Sequence, residues 1–200
     1  MKKIYLISSL LIIIGILGGI SFFLVRDASA RIPDDAALTT QNNETYRFGD
    51  DHKKLKLVEF IYTHCPDICP TTTQKMLLLQ NDLKKSGAFG KQIEFVTITI
   101  DPYRDTPNTL KKYMSSFGIK NDDNWKFLTG QKETIKEDQK NIKQVADALQ
   151  FQYKDPGNGF FVHSTFTYLV DENNKFLKKF PMGEEFNHKE VFDYINDRLN

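Results

Sequence analysis

LKLVEFIYTHCPDICP, residues Leu55 to Pro70, runs from an apolar segment through a cysteine pair into a helix-opening proline. Leu55 to Thr63 reads as a buried strand, and Pro70-Thr71-Thr72-Thr73 opens a helix carrying Met76, Leu79 and Leu83 on one face. Cys65 and Cys69, the two cysteines of the chain, therefore sit where a strand hands over to a helix. Proline follows each cysteine, and a residue before proline is held out of the α region. The turn is accordingly stiff, with Pro70 expected as the first helical residue.

The flanking elements set the frame around that turn. Ile93 to Ile100 alternates and is β-branched, which predicts a second strand. Thr106-Pro107 is an N-cap followed by proline, and Leu110, Tyr113, Met114 and Phe117 repeat at helical spacing up to Gly118. Trp125 to Leu128 suits a short strand, and Ile135, Ile142, Val145, Ala146 and Leu149 an amphipathic helix with a solvated charged face. Thr165 to Val170, a turn at Glu172-Asn173-Asn174 and Phe176 to Phe180 form a strand hairpin before a last helix with Val191, Phe192, Ile195 and Leu199. The order βαβα, inserted helix, ββα predicts an α/β thioredoxin-like fold, a central mixed sheet flanked by helices.

Lys2 and Lys3 precede an apolar run from Ile4 to Val25 that ends at Arg26-Asp27. At about 20 residues it is long enough to cross a bilayer, and basic residues in front of it keep the N-terminus cytoplasmic. Residues 1–27 are therefore expected to be a membrane anchor, although Ala28-Ser29-Ala30 resembles a signal-peptidase site. Residues 28–43 are expected to form a polar tether, and 44–200 one domain on the extracytoplasmic side of the cell membrane. With 27 basic and 26 acidic residues and a net charge of +1, nothing suggests a nucleic-acid surface.

Outside the cytoplasm a lone cysteine pair usually means a structural cystine. Here the bridge would close a very short loop, and loop-closure stabilisation grows only with the logarithm of loop length. A redox or metal role fits the spacing better. At a helix N-terminus thiolates are stabilised, and three intervening residues open the bite between the sulfurs. Two thiolates favour Cu(I), and an imidazole would complete a site that also holds Cu(II).

Four histidines are available to supply that nitrogen. His163 enters the Thr165 strand, which is expected beside the first strand; a hydrogen-bonded histidine at a strand end is the other reading. His64 adjoins Cys65, but adjacent strand residues face opposite ways. His52 and His188 lie in polar surroundings and read as surface residues.

Three segments together resemble the Sco/SenC family: Tyr62 to Pro70, Asp101-Pro102-Tyr103-Arg104-Asp105-Thr106-Pro107, and His163 ahead of Ser164-Thr165 and Tyr168-Leu169-Val170-Asp171. The resemblance implies a membrane-tethered copper protein with one copper ion on Cys65, Cys69 and His163. It also implies a partner, the CuA domain of cytochrome c oxidase subunit II. Val162 departs from the pattern, since many relatives carry an acidic residue before the histidine.

Copper delivery is thus expected, with Cys65 and Cys69 as a redox-active pair. The alternative is a thiol–disulfide oxidoreductase acting on exported partner cysteines without stable copper carriage, and the bland reading is an exported domain with a small cystine. Asp67 is either an oxygen close to the metal or a helix-capping turn residue. Asp101 is placed to influence thiol ionisation, and Arg104 and Asp105 are expected to pair. Tyr103, Phe160 and Phe161 either rim the site or simply pack.

Overall fold

The chain is described by a computed structural model covering residues 2–28, 30–50, 54–122 and 124–199. Its elements are α1 (Lys2–Ala28), β1 (Ala37–Thr40), β2 (Thr45–Arg47), β3 (Leu55–Ile61), α2 (Ile68–Lys85), β4 (Ile93–Thr99), α3 (Pro107–Ser116) and β5 (Trp125–Thr129). There follow α4 (Ile135–Ala148), β6 (Tyr153–Lys154), β7 (Val162–His163), β8 (Phe166–Val170), β9 (Phe176–Pro181), a short 3-10 turn (Gly183–Glu185) and α5 (His188–Leu199).

Seven strands form one mixed sheet in the order β2-β1-β5-β4-β3-β8-β9, while β6 and β7 make a separate small hairpin. β3, β4 and β5 run parallel at the centre, and β8 returns antiparallel beside β3. Every residue of β3 and β4 is buried, as expected for central strands covered on both faces. That is why their sequences read as continuous apolar runs.

Local chemistry accounts for the helix ends. Thr106 caps α3 by accepting from the Thr109 N–H at 3.3 Å, and Pro107 occupies the first helical position. Gly118, at φ +68°, lets the chain turn back so that Ile119 N–H reaches the Met114 carbonyl at 2.9 Å. Helix α2 begins at Ile68, two residues before the predicted start. Pro70 is tolerated there because N–H groups in the first turn have no intrahelical acceptor.

Residues 31–43, expected within a polar tether, belong instead to the folded unit Arg31–Asn200. Ile32, Ala36 and Leu38 are buried, and β1 pairs with both β2 and β5. Only alternate positions of this segment are apolar, a pattern its many polar neighbours hide.

Residues 1–30 form their own unit, with α1 a continuous helix of 27 residues. Counted over the described residues alone, no helix is long and apolar enough to cross a membrane, so the anchor expected over residues 1–27 is not shown by the structure.

Candidate metal centre

Beyond Ile61 the chain leaves the sheet in a tight turn, with Cys65 N–H bonded to the Tyr62 carbonyl at 3.0 Å. Cys65 lies half-buried in this turn and Cys69 buried in the first turn of α2; both are free thiols. The Cys69 N–H points at Cys65 Sγ, 3.5 Å away, as an unpaired donor of a helix N-terminus does.

The two sulfurs are electrostatically unequal. Donation from the Cys69 thiol brings Cys65 down to about 4 against the cost of burial, with the His163 imidazole and the backbone of Asp67 and Cys69 adding to the effect. Cys69 is pushed up, chiefly by donating to Cys65 and also by burial and the Cys65 charge. The pair thus holds a thiolate at Cys65 and a thiol at Cys69.

Strand register brings the imidazole to the same place. Lys56 lies opposite Val170 and Val58 opposite Tyr168. Extending that antiparallel register past Ile61 carries Ser164 and His163 to the level of Tyr62 and Thr63. The β6–β7 hairpin, in which His163 faces Tyr153, then holds the ring in place.

The His163 ring stacks on Phe151, centroids 5.8 Å apart, and meets Tyr62 edge-on at 5.9 Å. Its Nδ1 lies 2.7 Å from the Ser164 carbonyl oxygen, which can only accept, so Nδ1 carries a proton and Nε2 is left for the sulfurs. Burial disfavours the imidazolium, but the hydrogen bond to Cys65, the Ser164 carbonyl and the Cys65 charge together raise His163 above its ordinary value.

Donor atoms of Cys65, Cys69 and His163 all lie within 4.8 Å of one another. Metal–ligand bonds of about 2.0–2.3 Å place donors about 4 Å apart around one ion, so small side-chain adjustments suffice. Two sulfurs and one imidazole suit a soft cation.

The turn is held from behind by Asp105. Its buried carboxylate accepts from Thr63 N–H at 2.9 Å, from the Thr63 hydroxyl, and from Thr99 Oγ1 at 2.6 Å. This corrects the expected pairing of Arg104 with Asp105. Asp105 points inward to these donors, and the outward Arg104 instead binds Asp101 through Nε. Arg104 Nη2 also donates to the Gly159 carbonyl at 3.0 Å, tying the loop before His163 to the end of β4. Asp101 is therefore engaged by Arg104, and its charge is not among the influences on either thiol.

The remaining candidates stand apart from the donor cluster. Asp67 occupies the N-cap of α2 but makes no side-chain capping bond, and it is exposed. His64 is exposed and His188 faces Asp82 at 3.9 Å; His52 lies outside the described residues. Tyr103 and Phe160 are exposed, whereas Phe161 packs on Tyr62. Sequence reasoning missed Tyr62 and Phe151 as the walls of the imidazole, and missed the buried carboxyl of Glu59 behind the cysteines. A charged residue within an apolar strand run was the available signal for Glu59.

A family model described as SCO1/SenC matches residues 26–200. The chain is 33% identical to an SCO2-like protein of Rickettsia typhi over 98% of its own length and 97% of that protein's. Among solved structures it resembles a SCO1/SenC family lipoprotein from Bacillus anthracis, with TM-score 0.71 and 26% identity over 82% of this chain and 92% of that one. It also resembles yeast Sco1 with copper bound, with TM-score 0.64 and 26% identity over 82% and 85% of the two chains.

Proposed function

The chain belongs to the SCO1/SenC family, and from that premise we propose that it carries one copper ion as cargo on Cys65, Cys69 and His163. The observation that carries this reading is the convergence of three soft or borderline donors from two distant parts of the chain. The relative with copper bound supports the choice of metal. Cu(I) suits the thiolates, and the imidazole extends the set to Cu(II).

For cargo to bind, the Cys69 thiol and any proton on His163 Nε2 must be given up, while Cys65 is already a thiolate. Delivery proceeds by exchange of these ligands for those of the CuA domain of cytochrome c oxidase subunit II, the partner that the family resemblance implies. Residues 1–27 anchor the chain in the cell membrane with residues 44–200 on the extracytoplasmic side; the apolar run Ile4 to Val25 behind Lys2 and Lys3 supports this placement.

Titration of the reduced full-length chain with Cu(I), repeated after oxidation of Cys65 and Cys69 to a cystine, tests the ligand set. Stoichiometric binding only in the reduced state is expected. Equal affinity in both states would overturn it.

A second activity has its own supporting observation, the inequality of the two sulfurs. A half-buried thiolate beside a buried thiol is the arrangement of an attacking and a resolving cysteine. On this reading Cys65 and Cys69 reduce a cystine of the partner. His163→Ala separates the roles, because it removes a copper donor and leaves both thiols.

A further inference from the structure

Glu59 lies in β3 with no exposed surface. Its Oε1 accepts from Thr97 Oγ1 at 2.7 Å, and Thr97 in turn accepts from Trp125 Nε1 at 2.9 Å. Its Oε2 is also buried and has no hydrogen-bond partner among the described residues. Leaving a carboxyl oxygen buried and unpaired costs free energy that an apolar residue in this strand would avoid.

The unpaired oxygen sits behind the cysteine turn. Glu59 pairs with Thr97 across β3 and β4, and Thr97 with Phe127 across β4 and β5. Phe127 meets the ring of Tyr113, whose hydroxyl is bonded to Thr73 Oγ1 at 2.9 Å. Thr73 Oγ1 donates to the Cys69 carbonyl at 3.0 Å. Glu59 and Cys69 thus border one buried space between β3, α2 and α3. The ionisable groups that share it are Cys69 on α2 and Tyr113 on α3; from β4 and β5 come the non-ionisable Thr97 and Trp125. The Glu59 charge acts on both Cys69 and Tyr113. Burial, opposed by the Thr97 bond, raises Glu59 to about 7, which places it between its two protonation states at neutral pH.

We infer that Glu59 is the internal base that takes the proton from the Cys69 thiol when that sulfur resolves a mixed disulfide, an inference that rests on the dithiol reading above. Before this step Cys65 Sγ is joined to one sulfur of a partner cystine. The Cys69 S–H bond breaks and its proton passes to Glu59 Oε2, directly or through one water. The Cys69 thiolate attacks Cys65 Sγ, so a Cys65–Cys69 bond forms as the bond from Cys65 to the partner sulfur breaks. The electron pair leaves on the partner sulfur, which is protonated from solvent. The partner cystine is reduced to two thiols, this chain's dithiol is oxidised to a cystine, and Glu59 returns its proton to solvent.

The test follows coloured thiolate release when the reduced full-length chain, in detergent, meets a chromogenic nitrobenzoate disulfide at neutral pH. The first release reports attack by Cys65 and the second reports resolution by Cys69. Glu59→Gln is expected to slow the second release relative to the first by roughly 100-fold, the scale of a lost general base, and Glu59→Asp to recover part of that rate. A second release as fast in Glu59→Gln as in the unaltered chain would overturn the role of Glu59 and leave the dithiol reading standing. No first release from the unaltered chain would overturn both.

Discussion

The imidazole of His163 is oriented by its own neighbour: Nδ1 lies 2.7 Å from the carbonyl oxygen of Ser164, which turns Nε2 toward the cysteines. Elsewhere a carboxylate often performs this service for a ligating histidine. Val162, at the position where many relatives carry an acid, is exposed and cannot. With a backbone acceptor fixing the tautomer, the donor set depends on the ring itself. His163→Ala is expected to lower Cu(I) affinity by more than the roughly 10–100-fold typical of losing an outer partner of a metal ligand. Competition against a chelator of known affinity measures it, and disulfide reduction by the same variant should persist.

Arg104 joins two segments far apart in the chain through Asp101 and the Gly159 carbonyl. The Asp101 side chain is only 5% exposed, so removal of Arg104 leaves a nearly buried carboxylate without its cation. Arg104→Met is expected to cost about 2 kcal/mol, a fall in Tm of roughly 4–8 °C. The loop that leads to His163 loses its tie to β4 in the same variant, so copper affinity should drop while the alkylation rate of Cys65 does not. An unchanged affinity in a destabilised variant would confine Arg104 to holding the fold together.

Much of this was legible in the chain because the signals were local. The strand–turn–helix around Cys65 and Cys69, the capped helix at Thr106-Pro107 and the hairpin closed at Asn174 each carry their own periodicity or turn chemistry. β1 and β2 escaped because strands of four and three residues are too short to show a period, and their burial depends on β5. His163 was found by its place before a strand, but the β6–β7 hairpin that holds it has two residues on each side and no sequence pattern. Arg104 was assigned the wrong carboxylate for a related reason. Adjacency in sequence favours Asp105, and only the folded chain shows that Thr63 and Thr99 already claim it.

Cys65 and Cys69 should differ sharply toward alkylation. Cys65 is partly accessible and its thiolate persists down to about 4, whereas burial and donation to Cys65 keep Cys69 a thiol. Iodoacetamide at pH 6 is expected to modify Cys65 first, and the rate at Cys65 should stay nearly flat from pH 8 to about pH 5, where an ordinary thiol loses reactivity steadily. Mass spectrometry of peptides taken at short times resolves the two sites. Equal modification of both cysteines would remove the attacking and resolving assignment.

Glu59 makes a separate prediction about stability. Its folded value of about 7 exceeds its ordinary 4.5, so the fold binds the proton more tightly than the unfolded chain does. The sign follows directly: this contribution is fully present below about pH 4.5 and is lost as pH rises through about 7. Over that window the unaltered chain should lose up to about 3 kcal/mol through this one group, the equivalent of its displacement in pKa. Glu59→Gln cannot ionise and should be the more stable protein at pH 8, with the advantage shrinking toward zero or reversing near pH 4. Denaturant unfolding of both proteins at the two pH values isolates the effect, because the other titrating groups cancel in the difference. A constant difference across pH would mean that Glu59 keeps one protonation state throughout. A stabilised Glu59→Gln at pH 8 that also resolves mixed disulfides slowly would show why a costly carboxyl persists in the middle of β3.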